Sequence, residues 1–389
     1  MRTRILVAAF VAAMCVNLFA EGSGQTLTAT YDKGLGYLLK QQNADGSWND
    51  PAGNPDVAFT SMAIASVAGS PADVLEKNAA AIDKAVAYIL AQQQPDGGFY
   101  HPLSFPTMMN YKTAISLMAL AELDAEKYKD AIAKGRDFLV GLQLGENYGE
   151  VKPGDWPYGG WGYEKMGKDG KTPTDPQSDM SNASLSLEAL KAAGVPEDSE
   201  VWKRAVAFLN RCQNRSESND MAKELVEKGI VVGNDGGFTY RPHESKAGEE
   251  ELPEGKKGLR SYGSMTYAGL KSFIYANVKK DDPRVQAAYG WIQKHYTLDQ
   301  NPELGEQGLY YYYHTFAKAM DAYGEGTITD AAGEKHAWAE ELVEKLASLQ
   351  QEDGSWANGK DRWYEGHGPL VTSYCLRALN ACRKWQPSR

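Results

Sequence analysis

Asp179 opens the stretch Asp179-Met180-Ser181-Asn182, directly ahead of the run from Ala183 to Leu190, rich in small and apolar residues. An acid at a helix start can give up a proton, or it can cap the first backbone N–H groups, which lack intrahelical partners. Asp56 precedes a similar run, Thr60-Ser61-Met62-Ala63-Ile64-Ala65, and carries the same two readings. Two carboxyls about 5–9 Å apart suit glycoside hydrolysis. Asp56 and Asp179 are the pair at hand, and sequence does not set their separation. His367 is the third candidate catalytic group, as a base, although a lone imidazole more often holds a hydrogen bond. Tyr111, Asn182, Tyr262, Tyr312 and His314 stand near the starts of similar runs, and Trp161 lies in an aromatic-rich loop. These six are the expected ligand contacts. No metal and no cofactor is expected.

Positioning such groups falls to a repeat. Lys33-Gly34-Leu35-Gly36-Tyr37-Leu38 leads through Gln42 to Asp45-Gly46-Ser47-Trp48. Lys84 to Ile89 leads through Gln93 to Asp96-Gly97-Gly98-Phe99 at the same spacing. Lys134 to Leu139 reaches Gln143 and then Gly159-Gly160-Trp161, and Arg204 to Leu209 reaches Gln213 and then Asp235-Gly236-Gly237-Phe238. The fifth copy is worn, with Tyr296 where Gln is expected, and the sixth has Gln350 before Asp353-Gly354-Ser355-Trp356. Each copy reads as an amphipathic helix ending at the Gln, a Gly-containing turn with an aromatic, and a second helix rich in small residues. The second helices are expected to begin near Thr60, Thr113, Ala183, Gly263, Tyr313 and Thr372. Small residues on many faces suit an inner ring, and charged faces on the first helices suit an outer one. The last copy is as apolar as the middle ones, whereas an open array needs polar ends. A closed double ring of twelve helices is expected.

This signature resembles the QW repeat of squalene and terpenoid cyclases and of the β subunits of protein prenyltransferases. The resemblance runs over the chain beyond its first twenty residues. It implies an all-α fold, an α/α toroid of six helical hairpins. Cyclases of this family that start by protonation carry Asp-x-Asp-Asp, with the middle Asp as the acid. The matching stretch is Asp179-Met180-Ser181-Asn182, where a hydroxyl of alcohol-like pKa replaces that acid. The prenyltransferases hold zinc with Asp, Cys and His. Here Val371 stands where the His would be expected before Thr372-Ser373-Tyr374-Cys375, and no Asp-x-Cys pair occurs. Leu304-Gly305-Glu306-Gln307 resembles the thioester motif of complement-like proteins without its Cys. The resulting expectation is a toroid lacking the cyclase acid and the zinc ligands, which binds an apolar or carbohydrate ligand in its central cavity. A glycan-active hydrolase or lyase, and an atypical terpenoid cyclase or prenyltransferase, are the alternatives.

Composition bounds the partners. With 41 basic against 51 acidic residues the net charge is −10, which argues against nucleic acid. Arg2 and Arg4 precede an apolar run ending at Ala20, the pattern of a signal peptide over residues 1–20. The protein is therefore expected to be exported, periplasmic or secreted, with no stable membrane span after signal removal. Residues 21–389 are expected to form one toroid domain with insertions at about 144–178 and 214–260. The first insertion is rich in aromatics and Gly; the second, with Glu249-Glu250-Glu251 and Lys256-Lys257, reads as a mobile, solvated segment without chemistry. Cys375 and Cys382 lie about 10 Å apart on one helical face, too far for a mutual bridge. Buried free thiols are favoured for these and Cys212. Oligomeric state leaves no mark on the sequence.

Overall fold

The helix periods and the Gly turns assemble into two concentric rings. The computed structural model describes residues 24–101, 107–148, 150–163 and 177–386. The signal-peptide expectation lies outside them. In chain order the elements are α1 (24–40), β1 (Trp48–Asn49), β2 (Pro55–Asp56), α2 (Val57–Ala68), α3 (Ala72–Lys77), α4 (Ala79–Ala91), α5 (Met109–Asp124) and α6 (Lys129–Gly141). Then follow α7 (Met180–Ala192), α8 (Glu200–Cys212), α9 (Ala222–Glu227), β3 (Ile230–Val231), β4 (Glu249–Glu251), β5 (Lys257–Leu259), α10 (Gly263–Tyr275) and α11 (Pro283–Lys294). The last are α12 (Leu309–Tyr323), β6 (Ile328–Thr329), β7 (Lys335–His336), α13 (Trp338–Leu349) and α14 (Gly368–Cys382).

The inner ring is α2, α5, α7, α10, α12 and α14. Each packs on the next, and α14 packs back on α2. Ser66 Oγ donates to the Ser373 carbonyl across that last junction. The outer ring is α1, α4, α6, α8, α11 and α13. Outer α8 and α13 show one apolar stripe, while inner α5 and α14 are buried on nearly every face.

The repeat signature is the joint between neighbouring hairpins. Gln42 Nε2 donates to Gly46 O within its own turn and to Ala81 O in the next outer helix. Gln93 reaches Ala131 O, Gln143 reaches Val201 O, and Gln213 reaches Arg284 O, all within 3.0 Å. Gln350 reaches Thr30 O at 2.9 Å, so the sixth hairpin grips the first. In the worn copy the Tyr296 hydroxyl donates instead to Glu341 in the first turn of α13. The turn glycine is required twice over. Gly159 has φ +84°, and a Cβ there would sit 1.9 Å from Arg204 O.

The aromatic of each turn is locked by the same logic. Trp48, Trp161 and Trp356 donate Nε1 to Leu38, Leu139 and Leu346 carbonyls. The N–H groups of Trp48, Phe99, Phe238 and Trp356 donate to Thr60, Thr113, Thr266 and Thr372 hydroxyls. Five of the inner helices start three or four residues earlier than the sequence suggests, whereas α10 begins at Gly263 as expected. Thr60, Thr113 and Thr372 lie one turn inside, where each serves as a latch to its turn. The second insertion is also folded, where a solvated segment was expected. It holds α9 and a three-stranded sheet of order β3-β5-β4, and the Tyr240 carbonyl accepts from Met180 N at the start of α7.

Candidate functional site

Tyr111, Ser181 and Tyr311 stand on the second or third residues of α5, α7 and α12 and keep accessible surface inside a closed ring. That surface lies at the mouth of the ring, the end where the inner helices begin. Tyr374, deeper on α14, makes a hydrogen bond with Tyr111 and stands edge-on to Tyr311 at 5.9 Å. Tyr163, from the first insertion, stacks on Tyr111 at 6.2 Å and remains 37% exposed. The Ser181 hydroxyl is within hydrogen-bonding reach of both Tyr163 and Tyr311. Burial raises the pKa of all four phenols, Tyr111, Tyr163, Tyr311 and Tyr374, so they are neutral donors near pH 7.

Asp179 is wholly buried and caps α7. Its Oδ1 accepts from Asn182 N and its Oδ2 from Asn182 Nδ2, both at 2.9 Å. Asn182 Oδ1 accepts from Asn110, whose own Oδ1 accepts from Ser186, all at buried positions. Burial lifts the Asp179 carboxyl above the ordinary range against the pull of Asn182, Arg241 and the Tyr240 hydroxyl. Two of these partners, Tyr240 and Arg241, come from the second insertion.

Asp56 caps α2 through Ala58 N at 2.7 Å and pairs with Lys112 at 2.9 Å. His367 lies at the start of α14, edge-on to Phe59, with Nε2 3.0 Å from Asn49 O. Trp161 and Tyr312 are core residues, fully buried, Tyr312 giving its hydroxyl to Thr297 O. Tyr262 is buried at the start of α10. His314 is buried deeper on α12, stacked on Tyr374 at 5.5 Å. The structure thus gathers Tyr111 at the mouth of the ring, with Asn182 one residue beyond Ser181 and buried.

Two groups of residues escape the sequence reading. Glu365 is buried and accepts from Tyr311 N at 2.8 Å and from Asn358 at 2.7 Å, capping α12 from outside the helix. Burial pushes its carboxyl up to about 7 against those bonds. Farther along the inner helices, Glu122, Glu188, Lys271, Lys318 and Arg377 form one cluster. Lys271 meets Glu188 at 2.5 Å, Lys318 meets Glu188 at 2.9 Å, and Arg377 grips Glu122 with two nitrogens. Burial opposes charge on Glu188, yet Lys271, Lys318 and Arg377 hold its carboxyl well below the usual range. The available signal was one charge on each of α7, α10, α12 and α14, eight or nine residues beyond the helix start.

Among the described residues, Asp330, Glu334 and His336 group as metal-type ligands on the β6–β7 hairpin, where Asp330 Oδ1 already accepts from Ala332 and Glu334 N–H. A separate groove of about 630 Å³ lies beside the C-terminal end of α10, lined by Glu197, Trp202, Asn277 and Arg284 among others. It is away from Tyr111, Ser181 and Tyr311.

With this geometry in view, residues 6–105 match the model of the squalene–hopene cyclase C-terminal domain. The squalene–hopene cyclase of Zymomonas mobilis is 28% identical over 145 residues, which cover 33% of this chain and 21% of that protein. The chain thus matches about a fifth of the length of that curated relative. The type II terpene cyclase MstE from Scytonema superposes with a TM-score of 0.56 at 14% identity, covering 93% of this chain and 99% of its own. A variant of it has been solved with geranylgeranyl dihydroxybenzoate as substrate, at the same TM-score and identity and covering 94% and 99%. A protein from Actinoplanes superposes with a TM-score of 0.54 at 16% identity, covering 92% and 99%. The chain is therefore similar in sequence to the squalene–hopene cyclase C-terminal domain over its first quarter, and it has the α/α-toroid fold of the type II terpene cyclases over nearly its whole length.

Proposed function

We propose that this is an exported toroid that binds an apolar ligand in its central channel and does not start cyclisation by protonation. The observation that carries this reading is the division of labour at the start of α7. Ser181, at the position that matches the cyclase acid, keeps accessible surface at the mouth of the ring, within hydrogen-bonding reach of Tyr163 and Tyr311. Asp179, the acid that remains, is spent on capping the helix. Neutral phenols at the mouth of the ring offer large apolar faces with a few polar tips, which suits an isoprenoid-like chain. Incubation with squalene and with linear isoprenoid alcohols tests it: retention of the unchanged compound is expected, and a cyclic product overturns it.

A second reading rests on the raised Asp179 carboxyl, since an acid catalyst needs a proton at neutral pH. Turnover that disappears in Asp179→Asn while the fold persists would establish it. The paired-carboxyl glycosidase reading is weaker, because Asp56 is engaged by Lys112 and Ala58 while Asp179 is locked to Asn182.

A further inference from the structure

The fifth repeat departs from the signature of the ring, and a histidine site stands where it departs. Tyr296 takes the place of the Gln that elsewhere ties one outer helix to the next, and its hydroxyl donates to Glu341 Oε2 at 2.7 Å. Both oxygens of the same carboxylate lie 3.2 Å from His336 Nδ1. The Tyr296 ring stacks on the imidazole at 4.0 Å. His336 is thereby fixed in place and in tautomer. An ionised carboxylate only accepts, so Nδ1 carries the proton and Nε2 of the neutral ring is a bare lone pair.

Nε2 is buried without a hydrogen-bond partner and faces Asp330 Oδ2 at 3.6 Å. Two acceptors meet there, at a separation too long for a shared proton. A metal ion suits that separation: bonds of about 2.1 Å to nitrogen and oxygen span it at an angle of about 120°. Glu334 offers a third atom, and the three ligand atoms lie within 4.8 Å of one another. Glu334 is exposed, so its side chain can rotate inward and leaves a route from solvent.

The turn alone does not account for this set. The β1–β2 hairpin has the same turn, in which Asp50 Oδ1 accepts from Ala52 N and Asn54 N, as Asp330 Oδ1 does from Ala332 N and Glu334 N. Four and six residues after the turn Asp, the first hairpin carries Asn54 and Asp56, the second Glu334 and His336. The turn thus uses Asp330 Oδ1 only, and it forms without a Glu or a His.

We propose that Asp330, Glu334 and His336 bind a divalent transition-metal ion of the zinc class, with water completing its shell. Glu341 and Tyr296 are positioning residues, orienting the imidazole as a carboxylate commonly does behind a metal-bound His. The ion ties the β6–β7 hairpin to the first turn of α13, at the one joint where the repeat has lost its Gln. An imidazole ligand favours zinc over magnesium, which prefers oxygen.

The test is titration calorimetry and thermal shift on the tag-free full chain, stripped with EDTA, using zinc chloride and magnesium chloride. One zinc per chain is expected, bound at least about tenfold more tightly than magnesium and raising the melting temperature. His336→Ala is expected to abolish that site, and Glu334→Gln to weaken it about tenfold or more. Glu341→Gln is expected to weaken it about ten- to a hundredfold. Zinc uptake unchanged in His336→Ala and Glu334→Gln puts the ion elsewhere and overturns the assignment. No uptake by the wild type leaves Asp330 and His336 as a plain ion pair and overturns it as well. Magnesium bound as tightly as zinc overturns the part given to the imidazole. Glu334→Gln, at an exposed position, keeps the test decisive if His336→Ala fails to fold.

Discussion

Gln350, at the end of α13, donates its side-chain amide to the carbonyl of Thr30 in α1 at 2.9 Å, joining residues 320 positions apart. The same nitrogen donates to Gly354 O in its own turn at 3.0 Å. Replacing Gln350 by Ala leaves both carbonyls without this donor and opens the seam of the ring. Gln350→Ala is expected to lower stability by about 1–3 kcal/mol, read by chemical denaturation. Exchange of the α1 amides should accelerate most.

The turn glycines separate strain from collision. Gly53 has φ +87° with open space where a Cβ would stand, so Gly53→Ala should cost about 1 kcal/mol. Gly159 has nearly the same φ but faces Arg204 O at 1.9 Å. Gly159→Ala should cost clearly more, and a thermal melt of the two variants side by side checks the ranking.

Glu188 answers to three cations. Its folded-state pKa is depressed, so its contribution to stability is complete above the unfolded carboxyl pKa and fades as pH falls through the folded one. Glu188→Gln leaves Lys271 without its partner in a buried site and is expected to cost about 3–5 kcal/mol at pH 7. The deficit should shrink below pH 4, as measured by denaturation across pH.

Glu365 has the opposite sign. Its carboxyl is raised to about 7, so the folded state holds the proton more tightly than the unfolded chain does. Stability from this group therefore falls as pH rises from the unfolded carboxyl value to about 7, and is level above. Glu365→Gln should flatten that stretch of the stability–pH curve.

Tyr163 tests the mouth. Stacked on Tyr111 yet 37% exposed, it belongs to the mouth of the ring more than to the core. Tyr163→Ala is expected to weaken binding of a linear isoprenoid about three- to tenfold, with little change in melting temperature.

The ring was legible because its joints repeat. Gln42, Gln93, Gln143, Gln213 and Gln350 recur with a turn and an aromatic at set distances, and the same bonds recur with them. Helix starts were less legible, since Thr60 and Thr372 mark a latch one turn inside the helix instead of its beginning. Asp179 and Asp56 were visible as caps or catalysts alike, because both roles want an acid at the same place. Glu365 was hidden, for it caps α12 across a gap of 54 residues. Lys318 and Arg377 were hidden for another reason: a charge in a helix of small residues shows its depth only once six helices close around it.

The caps described around the inner ring follow an order. Going round it, α2 is met by Asp56, α7 by Asp179 and α12 by Glu365, while α5, α10 and α14 between them start without a carboxylate cap. Each helix presents about half a positive charge at its N-terminus. The rim is therefore a crown of alternating sign, threefold in its electrostatics although sixfold in its backbone.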